Sequence, residues 1–297
     1  MSLVYLSVIA LVAVSLTWGG SYLVVKDLLE NLSPVQYLSI RYALATPLIT
    51  LLFWKKFSNW IKTLTWPKLK SNITPGLWLG ASFILQAIGI QSSGPGKAAV
   101  LTALVFIYVP IIEILLGKKQ GLREFMPFLL TSTIGIVFLS EPWSIGWRMP
   151  DILLVVCAIG FASHIYLTST VVQSNHFSVV FIVQGLVVFL LSSFIWYFLE
   201  DFSLSDISTK NWIRIFYVAV VVTAMCYLMQ FYAQKYVQPH YVALIFALEP
   251  VSAILFSILL GYESLTANMI IGSLFILLTV LVVIIKGKTG GLSQVTT

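Results

Sequence analysis

Long runs of apolar residues dominate this sequence, and their length limits what the chain can fold into. Ten runs each approach the roughly 20 residues that an α-helix needs to cross about 30 Å of hydrocarbon. They lie at residues 3–25, 34–54, 75–93, 96–117, 123–140, 150–171, 177–199, 211–234, 239–261 and 265–286. Little chain remains between them. The sequence therefore predicts an all-α integral membrane protein with ten transmembrane helices and no soluble domain.

The composition excludes several other classes of protein. Charged residues make up only 9% of the chain, against about a quarter in soluble domains. The alternating pattern of a membrane β-barrel is absent, and so are the P-loop, the zinc-protease motif, Cys-x-x-Cys and the nucleophile elbow. We therefore expect no enzyme, no cofactor and no metal. Cys157 and Cys226 fall inside predicted helices, where free thiols are expected.

The charges of the loops predict the orientation of the chain in the membrane. Loop 55–74 carries five lysines and no acid, and loop 118–123 and the tail are also basic. Loop 200–210 carries three acids and one lysine. Because basic loops stay in the cytoplasm, both termini are predicted to be cytoplasmic in a multi-pass protein of the inner or plasma membrane. The net charge of +6 thus reflects topology, and no nucleic-acid partner is expected.

An internal repeat divides the chain into two halves. A shift of 144 residues places 79–91 over 223–235 and 117–139 over 261–283, and a slightly different shift places 18–22 over 160–164. Each half holds five predicted helices, so the second must enter the membrane from the opposite side. We therefore predict two inverted five-helix repeats, residues 1–145 and 146–297. Secondary transporters often have this plan, with the substrate site between the halves.

Three segments resemble the EamA family of the drug/metabolite transporter superfamily. They are LTWGGSYLVVK (16–26), SPVQYLSIRYALA (33–45) and FALEPVSAILFSILLGYESLT (246–266). The resemblance rests on Trp18, Arg41, the Leu-Glu-Pro at 248–250 and the Gly-x-Glu at 261–263. The first half has Gly117-Lys118-Lys119 instead of Gly-x-Glu. The resemblance implies a ten-helix carrier with a central cavity for amino acids, other small metabolites, amines or toxic compounds.

Several polar and aromatic residues inside the predicted spans are candidates for a substrate site. Trp18 and Tyr22 share one face of helix 1. Gln86 of helix 3 and Gln230 of helix 8 are equivalent in the repeat. Helix 8 carries a polar stripe at every third or fourth residue, formed by Thr223, Tyr227, Gln230 and Gln234. For all of them, cavity lining and ordinary helix packing remain open interpretations.

Ionisable residues inside a membrane are functional candidates by default. Glu249 precedes Pro250 near the middle of helix 9, where it binds a proton or cation, or is a structural acid between helices. His164 of helix 6 is expected either to bind substrate or to form a hydrogen bond to another helix. For Arg41, a structural pair or snorkelling to the headgroups is favoured over substrate binding. Glu113 is expected to snorkel or to pair with the lysines that follow it.

These patterns favour a secondary transporter that moves a small polar or amphipathic metabolite, such as an amino acid, by alternating access. Helices 1, 3, 6 and 8 are predicted to line its cavity, with helices 4 and 9 supporting them. The alternative is a carrier of organic cations or drugs, and a third interpretation is a membrane scaffold or sensor that transports nothing. The expected partners are a small-molecule substrate, the bilayer and, with Glu249, protons. A monomer is compatible with the sequence.

Overall fold

The computed structural model describes residues 2–118, 122–140, 146–200, 207–262, 264–288 and 292. All regular elements within these ranges are helices. They are α1 Leu3–Leu29, α2 Pro34–Leu52, α3 Trp54–Lys62, α4 Trp66–Ser92, α5 Pro95–Thr102, α6 Val105–Leu115, α7 Leu122–Ser140, α8 Met149–Ser174, α9 Phe177–Leu199, α10 Thr209–Tyr217, a π-helical segment Val218–Met225, α11 Cys226–Ala233, α12 Pro239–Phe246, α13 Leu248–Leu259 and α14 Ala267–Lys288.

The predicted all-helical membrane fold is confirmed. Among the described residues, nine helical segments are long and apolar enough to cross a bilayer. Three of the nine are joined pieces, namely Pro95–Leu115, Thr209–Ala233 and Pro239–Leu259. The tenth predicted span is α2, which bends by 84° into the short helix α3.

The predicted start of helix 3 was wrong. We placed it at Pro75, but α4 begins at Trp66 and Pro75 lies inside it. Lysines in the first turns of α4 kept that segment out of the apolar run, although a helix can extend beyond the hydrocarbon. Pro67 lies in the first turn of this helix. A proline is favourable there because the N–H that it lacks would have no helical partner.

The two halves repeat each other in structure at the offset found in the sequence. Helix 4 is interrupted at Ala103–Leu104 and helix 9 at Ala247, and Ala103 and Ala247 are 144 positions apart. Both spans end at a glycine with positive φ, Gly117 at 76° and Gly261 at 78°. Glycine adopts this conformation without steric cost.

The hydrogen bonds around these two glycines also match. The N–H of Lys118 donates to the carbonyl of Glu113, and the N–H of Tyr262 donates to that of Ser257, each at 2.8 Å. This is the Schellman pattern of helix ends. Glu263, the last residue of the Gly-x-Glu after helix 9, lies outside the described residues. Residues 141–145, at the end of which we placed the boundary between the halves, also lie outside them.

Equivalent helices of the two halves run in opposite directions. In α7 and α14, the Thr279 hydroxyl donates to that of Thr131 at 2.9 Å, and Gly135 faces Gly272 where the backbones approach closely. In α2 and α9, the Ser39 hydroxyl donates to that of Ser192 at 3.1 Å, and Ser33 contacts Glu200. Partner numbers fall along one helix as they rise along the other. The repeats are therefore inverted.

Candidate functional site

A cavity lies in the middle of the bundle, between the two halves, with about 780 Å³ of empty space including the part that is open to solvent. Helices α1, α2, α4, α8, α11 and α13 contribute to its wall, together with the pieces of the broken helices beside them. All the residues that we predicted for the site contribute to the lining: Trp18, Tyr22, Gln86, His164, Tyr227, Gln230 and Glu249. The geometry brings them together, and their roles in binding remain predictions.

The cavity follows the internal repeat. Five pairs of its lining residues lie 144 positions apart in the sequence. The pairs are Ser21 with Ile165, Phe83 with Tyr227, Gln86 with Gln230, Thr102 with Phe246, and Val105 with Glu249. The cavity therefore lies where the two inverted halves face each other, the usual position of the substrate site in carriers with this plan.

Trp18 forms part of the aromatic wall of the cavity. Its indole N–H donates to the carbonyl of Val222 at 2.9 Å. Its ring centroid lies 5.0 Å from those of both Tyr227 and Phe246. A buried indole needs a partner for its N–H, and this bond explains how Trp18 is accommodated far from the membrane surface. Trp18 thus both packs against neighbouring helices and lines the cavity.

Glu249 lies on the cavity wall next to two other predicted site residues, Tyr22 and Gln86. Its side chain is 8% exposed and faces the hydroxyl of Tyr22. That hydroxyl accepts a hydrogen bond from Gln86 Nε2 at 3.0 Å. Within the described residues, no lysine, arginine or histidine forms an ion pair with Glu249.

The interruption of helix 9 explains how the chain accepts Glu249 and Pro250 side by side. Because α12 ends at Phe246 and α13 begins at Leu248, both residues lie in the first turn of a new helix. A backbone N–H at position 250 would have no helical partner, so the N–H that Pro250 lacks costs no hydrogen bond. The positive end of the α13 dipole stabilises a carboxylate at Glu249.

The interpretation of Arg41 as a residue that snorkels to the headgroups was wrong, whereas the alternative of a structural pairing agrees with its contacts. Its side chain is only 4% exposed and lines the cavity. The guanidinium donates to the hydroxyls of Thr223 and, at 3.1 Å, Tyr37, and it lies 4.7 Å from the ring of Phe83. No carboxylate among the described residues pairs with it. Cation–π contacts and hydroxyl acceptors stabilise the buried charge instead.

Helix 2 is thus a cavity wall that the sequence analysis missed. Tyr37, Leu38 and Arg41 all line the cavity, although only helices 1, 3, 6 and 8 were assigned to it. Helices 4 and 9 also contribute directly through Thr102, Val105, Phe246 and Glu249. Tyr37 and Arg41, four residues apart on one helix face, were the signal available in the sequence.

The polar stripe of helix 8 is divided by a π-helical segment, Val218–Met225. Here Thr223 donates to the carbonyl of Val218 at 2.8 Å and accepts from Arg41. Tyr227 and Gln230 then face the cavity. Single π turns inside helices are frequent at functional sites, and this one brings Thr223 into contact with Arg41.

Gln230 and His164 complete the site. Gln230 is buried, and its Oε1 has no hydrogen-bond partner among the described residues. His164 bonds Gln184 Oε1 through Nε2 at 2.9 Å, so it joins two helices as well as lining the cavity. Gln234 lies beyond the cavity and donates to the carbonyl of Ile165 at 2.9 Å, joining α11 to α8.

Glu113 does not snorkel and does not pair with the lysines that follow it. It is 6% exposed, and its Oε2 lies 2.8 Å from Nδ1 of buried His240. Lys118 instead lies over the ring of Tyr166 at 5.3 Å, and Lys119 is outside the described residues. Glu113 and His240 are both absent from the cavity lining. The pair joins α6 to α12 within the apolar interior.

The described residues contain no cluster of His, Cys, Asp and Glu side chains that could hold a metal ion. Cys157 and Cys226 are buried free thiols.

Fold and cavity together define a multi-pass integral membrane protein with a site between inverted repeats. The family model of the EamA-like transporter family matches residues 5–141 and again residues 148–285. The chain therefore belongs to the EamA-like transporter family and is a membrane transporter; the family is one of transporters and not of enzymes.

Two relatives agree with this assignment, and a solved structure shares the fold. An uncharacterized transporter of Archaeoglobus fulgidus is 26% identical over 279 residues, covering 94% of this chain and 85% of the relative. The uncharacterized transporter YoaV of Bacillus subtilis is 23% identical over 282 residues, covering 90% and 93%. A solved structure described as "Crystal structure of protein" superposes with a TM-score of 0.73 at 12% identity, covering 94% and 96%. At this identity it shows the fold alone.

Proposed function

We propose that this protein is a secondary active transporter of a small amphipathic zwitterion with the chemistry of an amino acid. One observation carries the proposal. The same cavity holds a buried arginine and a buried glutamate, and within the described residues neither has an oppositely charged partner. Burying an uncompensated charge is costly. A substrate with both charges would satisfy both residues at once.

Arg41 is the proposed contact for the substrate carboxylate. Its Nε and Nη1 already donate to hydroxyl groups of Thr223 and Tyr37. Nη2 makes none of the described hydrogen bonds, so it is available to donate to a ligand. Guanidinium groups bind carboxylates through parallel N–H donors, and the fixed hydroxyl and ring contacts hold the fork in one orientation.

Glu249 and Gln230 are the proposed contacts for the substrate ammonium group. Both have acceptor oxygens on the cavity wall, and Oε1 of Gln230 lacks a partner among the described residues. The rings of Trp18, Tyr227 and Phe246 line the same space. They offer apolar surface for a side chain and ring faces for the cation.

Alternating access follows from the inverted repeats, which can rock against each other around a central site. At one end of the cavity, ion pairs join Asp27 to Arg214 and Lys97 to Asp151, the latter at 2.7 Å. At the other end, Gln234 joins α11 to α8. We propose that these contacts break and form in turn, and that Glu249 exchanges its cation for a proton.

The test compares three probes of similar shape in proteoliposomes. They are L-leucine, isoamylamine, which lacks the carboxylate, and 4-methylpentanoate, which lacks the amine. The wild-type protein should take up L-leucine alone. In Arg41→Gln, the uptake of L-leucine should fall about 30-fold or more, since truncating one side of a buried charge pair costs about 2 kcal/mol or more. Exposed Arg123 provides the matched control Arg123→Gln, which should transport normally.

Other outcomes would overturn the proposal. Uptake of isoamylamine as fast as L-leucine would favour the organic-cation carrier. Trp18, Tyr227 and Phe246 beside Glu249 support that second candidate. Arg41 argues against it, because a second buried cation in the cavity repels a cationic substrate. No flux of any probe, with folded protein in the membrane, would favour a scaffold or sensor.

A further inference from the structure

A second region with the chemistry of a ligand site lies at the end of the bundle where α2 bends into α3. The bend of 84° turns α3 across the direction of the transmembrane helices. One face of α3, with Phe57 and Trp60, packs against Val179 and Val183 of α9. Its lysines lie on the exposed side. A short amphipathic helix with this orientation lies in the headgroup plane of the membrane.

α3 belongs to the first half of the chain but is fixed to the turn between α8 and α9 in the second half. Trp60 Nε1 donates to Asn175 Oδ1 at 2.9 Å. The ring of Phe53 lies 5.9 Å from those of both His176 and Phe177. These contacts hold the bend of α2 and α3 against the α8–α9 turn.

His176 in this turn has its ring hydrogen-bond donor at Nε2. Its Nδ1 accepts from the backbone N–H of Ser178 at 3.3 Å, so the ring proton is on Nε2. The ring stacks on Phe177 with centroids 4.3 Å apart. Burial, together with the ammonium groups of Lys56 and Lys235, lowers the pKa of His176 from its ordinary value. The ring is therefore neutral at pH 7 and keeps its N–H donor.

Three elements thus bring positive charge and a hydrogen-bond donor to one place. Lys56 lies on α3, three residues after Phe53, whose ring centroid is 5.9 Å from that of His176. Lys235 lies just after α11, and its carbonyl accepts a hydrogen bond at 3.4 Å from Gln173 Nε2 near the end of α8. No aspartate or glutamate occurs in the surrounding segments 52–75, 174–177 and 234–240. An anion bound among these groups would offset the repulsion between the two ammonium groups.

We propose that Lys56, Lys235 and His176 bind the phosphate headgroup of an anionic phospholipid from the leaflet in which α3 lies. The exposed indoles of Trp54 (56%) and Trp66 (71%) flank α3 at its two ends. Tryptophan concentrates at the level of lipid headgroups, so the three donors lie at the depth of a lipid phosphate. Since the site joins the first half to the second, the bound lipid should stabilise the contact between them.

The experiment measures the melting temperature of the detergent-purified protein during titration with dioctanoyl phosphatidylglycerol. Dioctanoyl phosphatidylcholine and glycerol 3-phosphate are titrated in parallel. We expect only the phosphatidylglycerol to raise the melting temperature, and native mass spectrometry to detect it bound. The variant Lys56→Gln/Lys235→Gln should bind it about 10- to 30-fold more weakly, since each lysine near an anionic lipid surface contributes about 1 kcal/mol, or about fivefold.

The matched control is Lys62→Gln/Lys70→Gln, which removes the same charge from exposed lysines of the same region. This control should bind phosphatidylglycerol like the wild type. If the first double variant does not fold, Lys235→Gln alone should weaken binding about 3- to 10-fold. Equal loss in the control would show diffuse attraction to anionic lipid and overturn the proposal. Binding of glycerol 3-phosphate as tight as that of the lipid, or unchanged binding in the Lys56 and Lys235 variants, would overturn it as well.

Discussion

Glu249 and Glu113 are both buried glutamates of interrupted, repeat-equivalent helices, yet their surroundings differ. Glu113 lies 2.8 Å from a ring nitrogen of His240, away from the cavity. Glu249 lines the cavity and has no basic partner within the described residues. The difference shows that a buried acid is not by itself a functional site. A partnered acid joins helices, whereas an unpartnered one facing a cavity is available to a ligand or a proton.

Neither glutamate is repeated in the other half. The position equivalent to Glu249 is Val105, which also lines the cavity, and the position equivalent to Glu113 is Ser257. Each acid therefore breaks the symmetry of the repeats at its own place. A cavity with an acid on one wall and valine opposite would hold a charged substrate in one orientation.

The largest effect is expected from Glu249→Gln. Glutamine keeps a hydrogen bond to Tyr22 but carries no exchangeable proton. If Glu249 couples transport to protons, uptake driven by a pH gradient falls to background while counterflow exchange of substrate continues, since exchange needs no net proton movement. Both assays use the same proteoliposomes. Wild-type pH dependence in the two assays would place Glu249 in the structural class of Glu113.

A smaller effect, on stability instead of transport, is expected from Glu113→Leu. The change leaves the buried Nδ1 of His240 without its partner, which should lower the free energy of unfolding by about 1–3 kcal/mol. Removing both partners in Glu113→Leu/His240→Leu should recover part of this loss, because no polar group then remains unsatisfied. Thermal unfolding in detergent measures both changes.

The control for this prediction is exposed Glu124, whose change to glutamine should leave stability unaltered. Folded Glu113→Leu protein should transport at the wild-type rate per molecule. A specific loss of transport at normal stability would contradict the assignment of Glu113 as a structural acid.

Trp18→Leu should weaken substrate binding moderately. Leucine keeps an apolar side chain between α1 and its neighbours but removes the ring that faces Tyr227 and Phe246. An aromatic contact of this kind contributes about 0.5–1.5 kcal/mol, so the apparent affinity should fall about 2- to 12-fold. Equilibrium binding to the purified variant measures the change. Exposed Trp147 gives the control Trp147→Leu, and unchanged affinity in Trp18→Leu would leave only its packing role.

The smallest perturbation tests which end of the molecule faces the cytoplasm. Asn59 on α3 and Asn31 between α1 and α2 are both exposed, and Cys157 and Cys226 are buried. A membrane-impermeant thiol reagent added outside should label Asn31→Cys and not Asn59→Cys, with transport unaffected. Labelling at residue 59 in intact cells would reverse the predicted topology.

The spans and the candidate site residues could be predicted because their signals are local. An apolar run of about 20 residues identifies a span whatever its neighbours are. Polar residues such as Gln86, Gln230 and Glu249 must avoid lipid, so they had to face protein or a cavity. The inverted repeat was also readable, since each weak match recurs at nearly one offset. These properties require no knowledge of which helices touch.

The partners of the buried charges depended on the tertiary structure alone. Glu113 and His240 are 127 residues apart, and Arg41 and Thr223 are 182 residues apart. No local pattern reports contacts at such separations, because they arise from the packing of helices from both halves. The bend at Phe53 and the π-helical turn before Tyr227 likewise depend on neighbouring helices. The sequence by itself determined a membrane-embedded inverted repeat with polar residues turned inward. Only the packing decided that Arg41 faces the cavity while Glu113 is paired, because a buried charge is stabilised by whichever groups the fold brings beside it.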